Sequence, residues 1–316
     1  MRKIKDLVSS DVHTKGEVGI EVEMEGDSLA HHNFGMWRAE RDGSLKGRDT
    51  AEYVLRRPIP FKDAGRALQE LTRELNGASL EPSMRAGVHV HINAQEMTLV
   101  QVANLTTLYL VLEDLLLEVC GEGRQSNLFC LKGCEAELLV NNAAKFFKSE
   151  NLGYISNDDI RYSGINLSAI AKFGSVEFRA FRSPKDLMEI LPWVETLKCL
   201  AMYAVERYDN PIQIIRAYSE FNPEMFVREM APAYAEQLML VPDWKARIQR
   251  GMRSAQDLAF SQTWEPKVEV DLSDEDEVLQ RMAAAYPDID RAALLAVYRQ
   301  RMEIVHDNTP EGNAPF

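Results

Sequence analysis

The chain has 316 residues, of which 46% are hydrophobic and 27% are charged, and its formal net charge is -13. This composition is typical of a soluble globular protein with one large domain or two modest ones. The acidic balance argues against binding to a nucleic acid polymer, which requires a basic surface, although it permits a local basic pocket for one phosphorylated ligand.

Targeting and disulfide signals are not indicated by this sequence. The N-terminal segment MRKIKDLVSSDVHTKGE has no apolar run, and the most apolar later segment is interrupted by Glu113 and Asp114. We therefore expect neither a signal peptide nor a membrane span. The four cysteines are too few and too loosely spaced for a disulfide scaffold or a zinc site. The expectation is a cytoplasmic protein without membrane contact, whose cysteines are buried or free thiols.

The first part of the chain predicts strands and one helix. Residues 19–60 have a strand-like pattern, with a loop whose His31 and His32 we expect at the surface. Apolar residues then recur at helical spacing over residues 61–75, before an Asn-Gly pair. The segment GVHVHIN, Gly87–Asn93, alternates between polar and apolar residues and predicts a further strand.

A long helix is predicted after this strand. Thr98 and Gln101, three residues later, form a capping box, and apolar residues recur at helical spacing as far as Val119. Gly121 ends the pattern. The sequence therefore predicts an amphipathic helix with one face on the core.

The strand SVEFRAF, residues 175–181, leads into another helix. Ser183 is a suitable N-cap and Pro184 suits the first helical position, so we predict a helix from there toward Tyr208. This order of elements predicts an α+β fold, in which helices pack on one side of a largely antiparallel sheet.

The chain divides into four predicted regions. Residues 15–210 form the folded core, and residues 211–264 form a charged helical extension. Residues 265–305 begin with EPKVEVDLSDEDE and are predicted to form an acidic linker with a small helical segment. Residues 306–316 are predicted to form a disordered tail.

Chemically active residues alternate with apolar residues in three of the predicted strands. One face of the sheet is then apolar, while the other presents carboxylate, imidazole and guanidinium groups. This set can hold a divalent cation and a polyphosphate. For any single strand, a solvated outer face is the alternative interpretation. The alternating residues are Glu21, Glu23 and Glu25 in the first strand, His89 and His91 in the second, and Glu177 and Arg179 in the third.

Two further segments carry residues of the same kind. The turn Asp-Gly-Ser at residues 42–44 presents an acid and a hydroxyl, and Glu52 lies near the start of a strand at residues 51–55. The segment IRYSGINL places Arg161 before Asn166 and the final strand.

Five short segments, GIEVE, DGSLKGRDTAEYVL, GVHVHIN, RYSGINL and VEFR, occur in this order between about residues 19 and 182. In this combination the sequence resembles the amidoligase branch of the carboxylate-amine ligases, the superfamily that includes glutamine synthetase and glutamate-cysteine ligase. The resemblance implies a glutamine synthetase-like funnel of mostly antiparallel strands, with helices on its outer face and a helical C-terminal region. It also implies an ATP- and Mg²⁺-dependent ligase, in which a carboxylate is phosphorylated to an acyl phosphate and an amine then displaces the phosphate.

The chemistry of that reaction gives each candidate residue an expected role. The chain has no G-x-x-x-x-G-K-[ST] loop, so the sheet and its metal ions would have to bind ATP. His89 is a softer ligand than a carboxylate and is expected on a phosphate oxygen or a metal-bound water, with a Mn²⁺ contact left open. The expected ligands of Mg²⁺, or of Mn²⁺ in its place, are Glu21, Glu23, Glu52 and Glu177. The expected nucleotide and phosphate contacts are His89, His91, Arg161, Asn166 and Arg179. The expected catalytic residues are Arg161 and Arg179 on the phosphoryl group, Asp42 as acceptor of the amine proton, and Ser44 beside it.

Two other classes of function stay open at this point. A metal-dependent hydrolase or phosphotransferase would use His89, His91 and the carboxylates, but it gives the Asp-Gly-Ser turn and the arginines no role. A binding module that keeps the fold without catalysis is the non-enzymatic alternative. For the ligase we expect a small-molecule or peptide carboxylate and amine as substrates, with ATP as the nucleotide. A homo-oligomer contact through the region after residue 210 is also open.

Overall fold

The structure is a computed structural model of the chain. It describes residues 2–124, 127, 130–133, 137–156, 162–220 and 222–264, together with Leu279 and Leu295. The chain divides into two compact units, Met1–Trp264 and Glu265–Phe316. The predicted acidic linker, small helical segment and tail lie outside the described residues, apart from the two leucines.

One seven-stranded sheet organises the first unit. Its strands are β1 (Val18–Asp27), β2 (Trp37–Glu40), β3 (Asp49–Leu55), β4 (Ser79–Glu81), β5 (Gly87–Asn93), β6 (Ile165–Asn166) and β7 (Ser175–Arg182). They follow the order β2-β3-β1-β5-β7-β6, and β4 pairs with β1 beside this path. Every pairing between these strands is antiparallel. The predicted α+β class is confirmed, and the sheet is open rather than closed.

Helices pack against the apolar side of the sheet and against one another. The helices are α1 (Ala64–Glu74), α2 (Leu99–Leu116), α3 (Glu137–Ser149), α4 (Ser168–Phe173), α5 (Ile190–Glu206), α6 (Pro211–Glu220), α7 (Pro223–Met230), α8 (Ala235–Met239) and α9 (Trp244–Ala259). Helix α5 lies on β5, and α2 lies between α5 and α9.

Apolar side chains of the central strands form the core between the sheet and the helices. Ile20, Val22 and Met24 of β1 are buried, as are Val88 and Val90 of β5. Full burial of such a side chain contributes about 1.5–3 kcal/mol. Along β1 and β5, these apolar residues alternate with the polar candidate residues. Formation of the core therefore places the polar residues on the opposite face of the sheet.

Helix α2 begins as predicted but is not amphipathic. The Thr98 hydroxyl accepts a hydrogen bond from the Gln101 amide at 3.2 Å, and the Gln101 side chain accepts one from the Thr98 amide at 2.8 Å. The prediction of a single apolar face is wrong, because α3, α5, α6 and α9 pack around α2 and nearly all of its residues are buried. Among the described residues, α2 alone has the length and composition of a membrane span, but 89% of it is buried inside the protein, as in a core helix.

Helix α5 begins later than predicted. Ser183 and Pro184 lie outside any helix. The Ser183 amide instead donates a hydrogen bond at 3.3 Å to the carbonyl of Ala86, the residue before β5. A single 3-10 turn, Leu187–Glu189, leads into α5. The Asp186 carboxylate caps this turn by accepting from the Met188 amide at 3.0 Å. The predicted N-cap at Ser183 is therefore wrong.

Helices α6 to α9 occupy the predicted helical extension. Helix α9 packs along α2, and the Arg250 guanidinium donates to the Asp114 carboxylate from two nitrogens, at 3.0 and 2.7 Å. Gly251 allows the close approach, since a Cβ atom there would lie 2.4 Å from the carbonyl oxygen of Val111. Residues 211–264 thus belong to the same compact unit as the sheet.

Candidate active site

The register of the central strands brings the polar candidates together on one face. Glu21 of β1 lies opposite His89 of β5, and Glu23 lies opposite Glu52 of β3. On the other side of β5, His91 lies opposite Glu177. Because side chains at paired positions share a face, residues from four segments of the chain meet on these neighbouring strands.

His89 lies at the centre of this group. Its Nδ1 atom is 3.1 Å from Glu21 Oε2 and 3.5 Å from Glu177 Oε1, and its Nε2 atom is 3.6 Å from Glu23 Oε1. The His89 side chain is 6% exposed, as are those of Glu23 and Glu177, so the interactions are shielded from water. The geometry makes His89 a neighbour of three of the four predicted metal ligands.

Two sets of three residues in the described structure could each hold a metal ion. Glu21, His89 and Glu177 form one, and Glu23, Glu52 and His89 form the other, with the ligand atoms of each set within 4.8 Å of one another. Carboxylate oxygens with one imidazole suit Mn²⁺ well and Mg²⁺ when water completes its shell. The four predicted carboxylates are thus grouped as metal binding requires, and His89 belongs to both sets.

Glu52 and Glu23 show how crowded the carboxylates are without a cation. Burial, followed by the charges of Glu21, Glu23 and Asp42, raises the pKa of Glu52 to about 8. Burial also raises the pKa of Glu23, against the opposing effect of His89. A divalent cation would favour the ionised forms of both, so the residues present fit a metal ion.

Glu21 and Glu177 are stabilised as anions instead. Burial acts to raise the pKa of Glu21, but hydrogen bonds with His89 and His91 outweigh it and the pKa lies well below its usual range. Burial likewise opposes ionisation of Glu177, but the charges of His91, Arg179 and His89 lower its pKa. The site therefore contains two carboxylates that are ionised and two that resist ionisation.

Arg179 is set into the site by a β-bulge. Val88 of β5 pairs with Phe181 of β7, and Val90 pairs with Phe178. The single residue between the two valines, His89, therefore lies opposite two residues of β7, Arg179 and Ala180. Such a bulge redirects the side chain and strengthens the local twist. The Arg179 guanidinium forms an ion pair with Glu177 and lies on the wall of the cavity.

The Asp-Gly-Ser turn closes one side of the cavity. The Asp42 carboxylate accepts a hydrogen bond from the Ser44 amide at 2.6 Å, and it accepts another from the carboxyl group of Glu23 when Glu23 is protonated. Burial acts to raise the pKa of Asp42, but these hydrogen bonds lower it overall. Glu25, whose role the sequence leaves open, accepts from the Lys46 amide at 2.9 Å and so holds the turn.

The cavity above the sheet has a volume of about 250 Å³. Arg85, Arg124 and Tyr162 belong to its lining, although sequence reasoning did not select them. They lie in loops, where no alternation marks the direction of a side chain. Arg161 lies outside the described residues, so its predicted roles stay predictions. The lining consists of Glu21, Glu23, Asp42, Ser44, Glu52, Arg85, His89, Arg124, Tyr162 and Arg179.

Asn166 and His91 lie beside the cavity rather than on its lining. The Asn166 amide donates to Glu177 Oε2 at 2.6 Å, and its carbonyl accepts from the Ser168 amide at 2.9 Å. His91 Nε2 is 3.2 Å from Glu21 Oε1, and its Nδ1 is 3.0 Å from the Ser175 hydroxyl. Both residues orient a carboxylate of the group, and their predicted nucleotide contacts stay predictions.

A second cavity, of about 520 Å³, adjoins the first. Glu21 and Glu52 line both cavities, so the two cavities meet at these two predicted metal ligands. His91 and the half-exposed ring of Phe173 also line the second cavity. It carries four basic side chains, those of Arg38, Arg56, Arg57 and Lys172, and four acidic ones, those of Asp11, Glu21, Glu40 and Glu52.

The fold and this site define an α+β protein whose open antiparallel sheet presents carboxylates, imidazole and guanidinium groups to a cavity. A profile of the family described as "Putative amidoligase enzyme" matches residues 23–201, which is more than half of the chain. The chain belongs to this family, and the resemblance seen in the sequence is confirmed. It is accordingly an enzyme of the ligase type. No curated protein matches the chain.

Proposed function

We propose that the protein is an ATP- and Mg²⁺-dependent carboxylate-amine ligase that forms an amide bond through an acyl phosphate. The observation that supports this most directly is the meeting of three glutamates, one aspartate, one imidazole and three guanidinium groups around a single cavity, with Glu177 beside His89, in a member of the amidoligase family. The proposed substrates are a small-molecule or peptide carboxylate and an amine, and the proposed location is the cytoplasm.

Glu21 and Glu177 would hold one metal ion and Glu23 and Glu52 a second, and His89 would complete only one of these two sets, because a neutral imidazole has a single free lone pair. A bound Mg²⁺ or Mn²⁺ neutralises charge when a phosphoryl group moves between two anions. His91 contacts Glu21 and Asn166 donates to Glu177, so these two residues hold the two ligand carboxylates in position. Such supporting contacts tune the geometry and basicity of metal ligands.

Arg179 is suited to bind the transferred phosphoryl group. Its planar guanidinium can donate to two oxygens, and its charge persists because the neighbouring acids raise its pKa further against the effect of burial. The β-bulge and the Glu177 ion pair fix its position before substrate arrives. Preorganised donors of this kind stabilise charge that develops in a transition state.

Asp42 is suited to bind the amine. Its lowered pKa keeps it ionised at neutral pH, so it attracts an ammonium group to the mouth of the cavity. It can then accept a proton from this ammonium group, because only the neutral amine has a free lone pair with which to attack the acyl phosphate and displace the phosphate. Ser44 lines the same cavity and can position the amine through its hydroxyl.

The two adjoining cavities suit a reaction with two large substrates. A volume of about 250 Å³ is smaller than most ligand pockets, which measure about 300–1,000 Å³, so the first cavity suits the reacting groups. The second cavity, at about 520 Å³, can hold the body of a substrate whose reacting end lies near Glu21 and Glu52.

The test is isothermal titration of Mg²⁺-ATP into the wild type and into the variants Glu21→Gln and Arg179→Ala, with Arg182→Gln as control. Arg182 lies on the same strand but pairs with the exposed Glu189 at 2.8 Å, away from the cavity lining. Metal-dependent binding that is lost in the two site variants and kept in the control is the expected result. Binding should lead to ADP release when suitable acids and amines are screened.

The alternative of a metal-dependent hydrolase or phosphotransferase makes a different prediction. Under it, the wild type would turn over a phosphate ester or amide with metal alone, and Arg179→Ala would leave metal binding unchanged. No binding of Mg²⁺-ATP by the wild type would exclude the ATP step and favour that alternative or the non-catalytic binding module. For the ligase, Glu177→Gln should lower turnover by more than about 100-fold while the thermal transition persists.

A further inference from the structure

A second guanidinium lies deep in the wall of the first cavity. Arg124 follows α2 in a loop, is 2% exposed, and lines the cavity together with Glu23 and Arg179. Arginine keeps its charge in proteins, so a buried arginine requires partners that compensate for lost water. The three guanidinium nitrogens of Arg124 meet this requirement only in part.

Two of the three nitrogens of Arg124 hold the β-bulge. Nε donates to the Ala180 carbonyl at 2.9 Å, and Nη2 donates to the Arg179 carbonyl at 2.6 Å. These acceptors are neutral, so they fix the orientation of the guanidinium without cancelling its charge. The third nitrogen, Nη1, is buried and has no hydrogen-bond partner among the described residues.

Arg179, on the wall of the same cavity, has an unused donor as well. Its Nε atom is buried and lacks a partner within the described part of the chain, although its Nη1 atom pairs with Glu177. Gly87 keeps the space beside Arg124 narrow, since a Cβ atom there would lie 3.0 Å from Arg124 Nη2 and 3.5 Å from Glu23 Oε2. Two guanidinium groups with unused donors thus flank one cavity.

We propose that Arg124 is a second anion-binding residue of this site and that its Nη1 group donates to an oxygen of the phosphoryl group that Arg179 also binds. Buried polar groups are almost always hydrogen-bonded, and a rigid guanidinium with one free edge matches a tetrahedral oxyanion. The identity of the anion as a transferred phosphoryl group rests on the proposed ligase function. The inference of an anion rests on the two unpaired donors together with the cavity that they flank.

The experiment compares the wild type with Arg124→Gln, Arg124→Lys and the control Arg182→Gln. Inorganic phosphate is titrated calorimetrically in the presence of Mg²⁺, Mg²⁺ is titrated alone, and Mg²⁺-ATP is titrated separately. Loss of one charge-assisted hydrogen bond should weaken phosphate binding about 10- to 100-fold in Arg124→Gln. Arg124→Lys keeps the charge and should weaken it less, and the control should match the wild type.

The Mg²⁺ titration separates anion binding from support of the bulge. If Arg124 only held the β7 bulge, Gln and Lys would act alike and the affinity for Mg²⁺ alone would fall with the affinity for phosphate. We expect instead that the Mg²⁺ affinity stays within about twofold of the wild type, since the four carboxylates that would hold the metal lie at regularly paired positions of β1, β3 and β7.

A measurement on the wild type covers the case in which Arg124→Gln does not fold. The arginine Nε–H resonances of the labelled protein are recorded during the phosphate titration, with Arg124→Lys used to assign the Arg124 signal. A saturable shift of that signal supports the proposal. An unshifted signal, equal phosphate affinity in the wild type and Arg124→Gln, or no phosphate binding by the wild type would overturn it. Arg124-dependent phosphate binding without ATP-driven ligation would reject the proposed function and leave the anion site standing.

Discussion

Glu52 carries the clearest electrostatic signature of the candidate site. It lies on β3 opposite Glu23, and burial together with the neighbouring acids raises its pKa to about 8. A proton on Glu52 relieves the repulsion when no cation is present. Metal binding would release that proton, so the affinity for Mg²⁺ should rise with pH up to about 8.

The stability of the metal-free protein should depend on pH through the same group. The unfolded chain releases the Glu52 proton near pH 4.5, whereas the native protein holds it to about pH 8. The native state therefore binds more protons within this window, and the free energy of unfolding falls as pH rises through it. Denaturant unfolding in a chelator at several pH values measures this slope.

Glu52→Gln is the control for this pH dependence. The amide cannot titrate, so the variant should show a shallower slope between pH 4.5 and 8. Saturating Mg²⁺ should have a similar flattening effect on the wild type. Identical slopes for the wild type and the variant in chelator would contradict the assignment of the proton to Glu52.

Asn166 is expected to act through Glu177. It donates to Glu177 at 2.6 Å and is itself fixed by the Ser168 amide and hydroxyl. Asn166→Ala should therefore lower metal affinity or ligase turnover by about 10- to 100-fold while the thermal transition changes little. Measured Mg²⁺ affinity equal to that of the wild type would show that Glu177 needs no such support.

At the level of secondary structure, the close contact between α2 and α9 requires a glycine at position 251. A Cβ atom on Gly251 would lie 2.4 Å from the Val111 carbonyl oxygen and 2.5 Å from that of Leu110. Alanine normally stabilises a helix relative to glycine by about 0.5–1 kcal/mol. Here Gly251→Ala should instead destabilise the protein by about 1–3 kcal/mol, because the helices must move apart.

Gly65 in α1 is the matched control for this prediction. A Cβ atom there would meet only the Leu191 side chain, at an ordinary 3.5 Å. Gly65→Ala should therefore be neutral or stabilising by up to about 1 kcal/mol. Chemical denaturation of both variants decides the matter, and a stabilising effect at Gly251 would show that α9 does not pack as closely as described.

The strands and helices differ in how well local patterns predict them. The segment Gly87–Asn93 forms the predicted strand β5 with the predicted ends, because alternation is a property of the strand itself. The prediction of Ser183 as the N-cap of α5 is wrong. Ser183 satisfies the local capping rule, but its amide donates to the carbonyl of Ala86, which is distant in the sequence. The single apolar face predicted for α2 was wrong because α9, far along the sequence, covers another face.

For the whole molecule, the candidate site lies within one compact unit. Every residue that lines the cavity, and every hydrogen-bond partner named for the site, belongs to Met1–Trp264. A chain of residues 1–264 should therefore fold and bind Mg²⁺-ATP with an affinity within about threefold of the full chain. Calorimetric titration of both chains, with circular dichroism as a check of folding, tests this. A folded but non-binding shorter chain would assign residues 265–316 a part in the site.

The sequence by itself determined the α+β class, the polar and apolar faces of the central strands, and the residue types that meet in the site. These follow from local rules, because alternation within a strand decides which side chains share a face. The tertiary structure alone decided which carboxylates lie opposite one another, that Asn166 bonds Glu177, and that Arg124 reaches the cavity from a loop. Strand register and loop placement depend on contacts between residues far apart in the chain, and no local pattern encodes them.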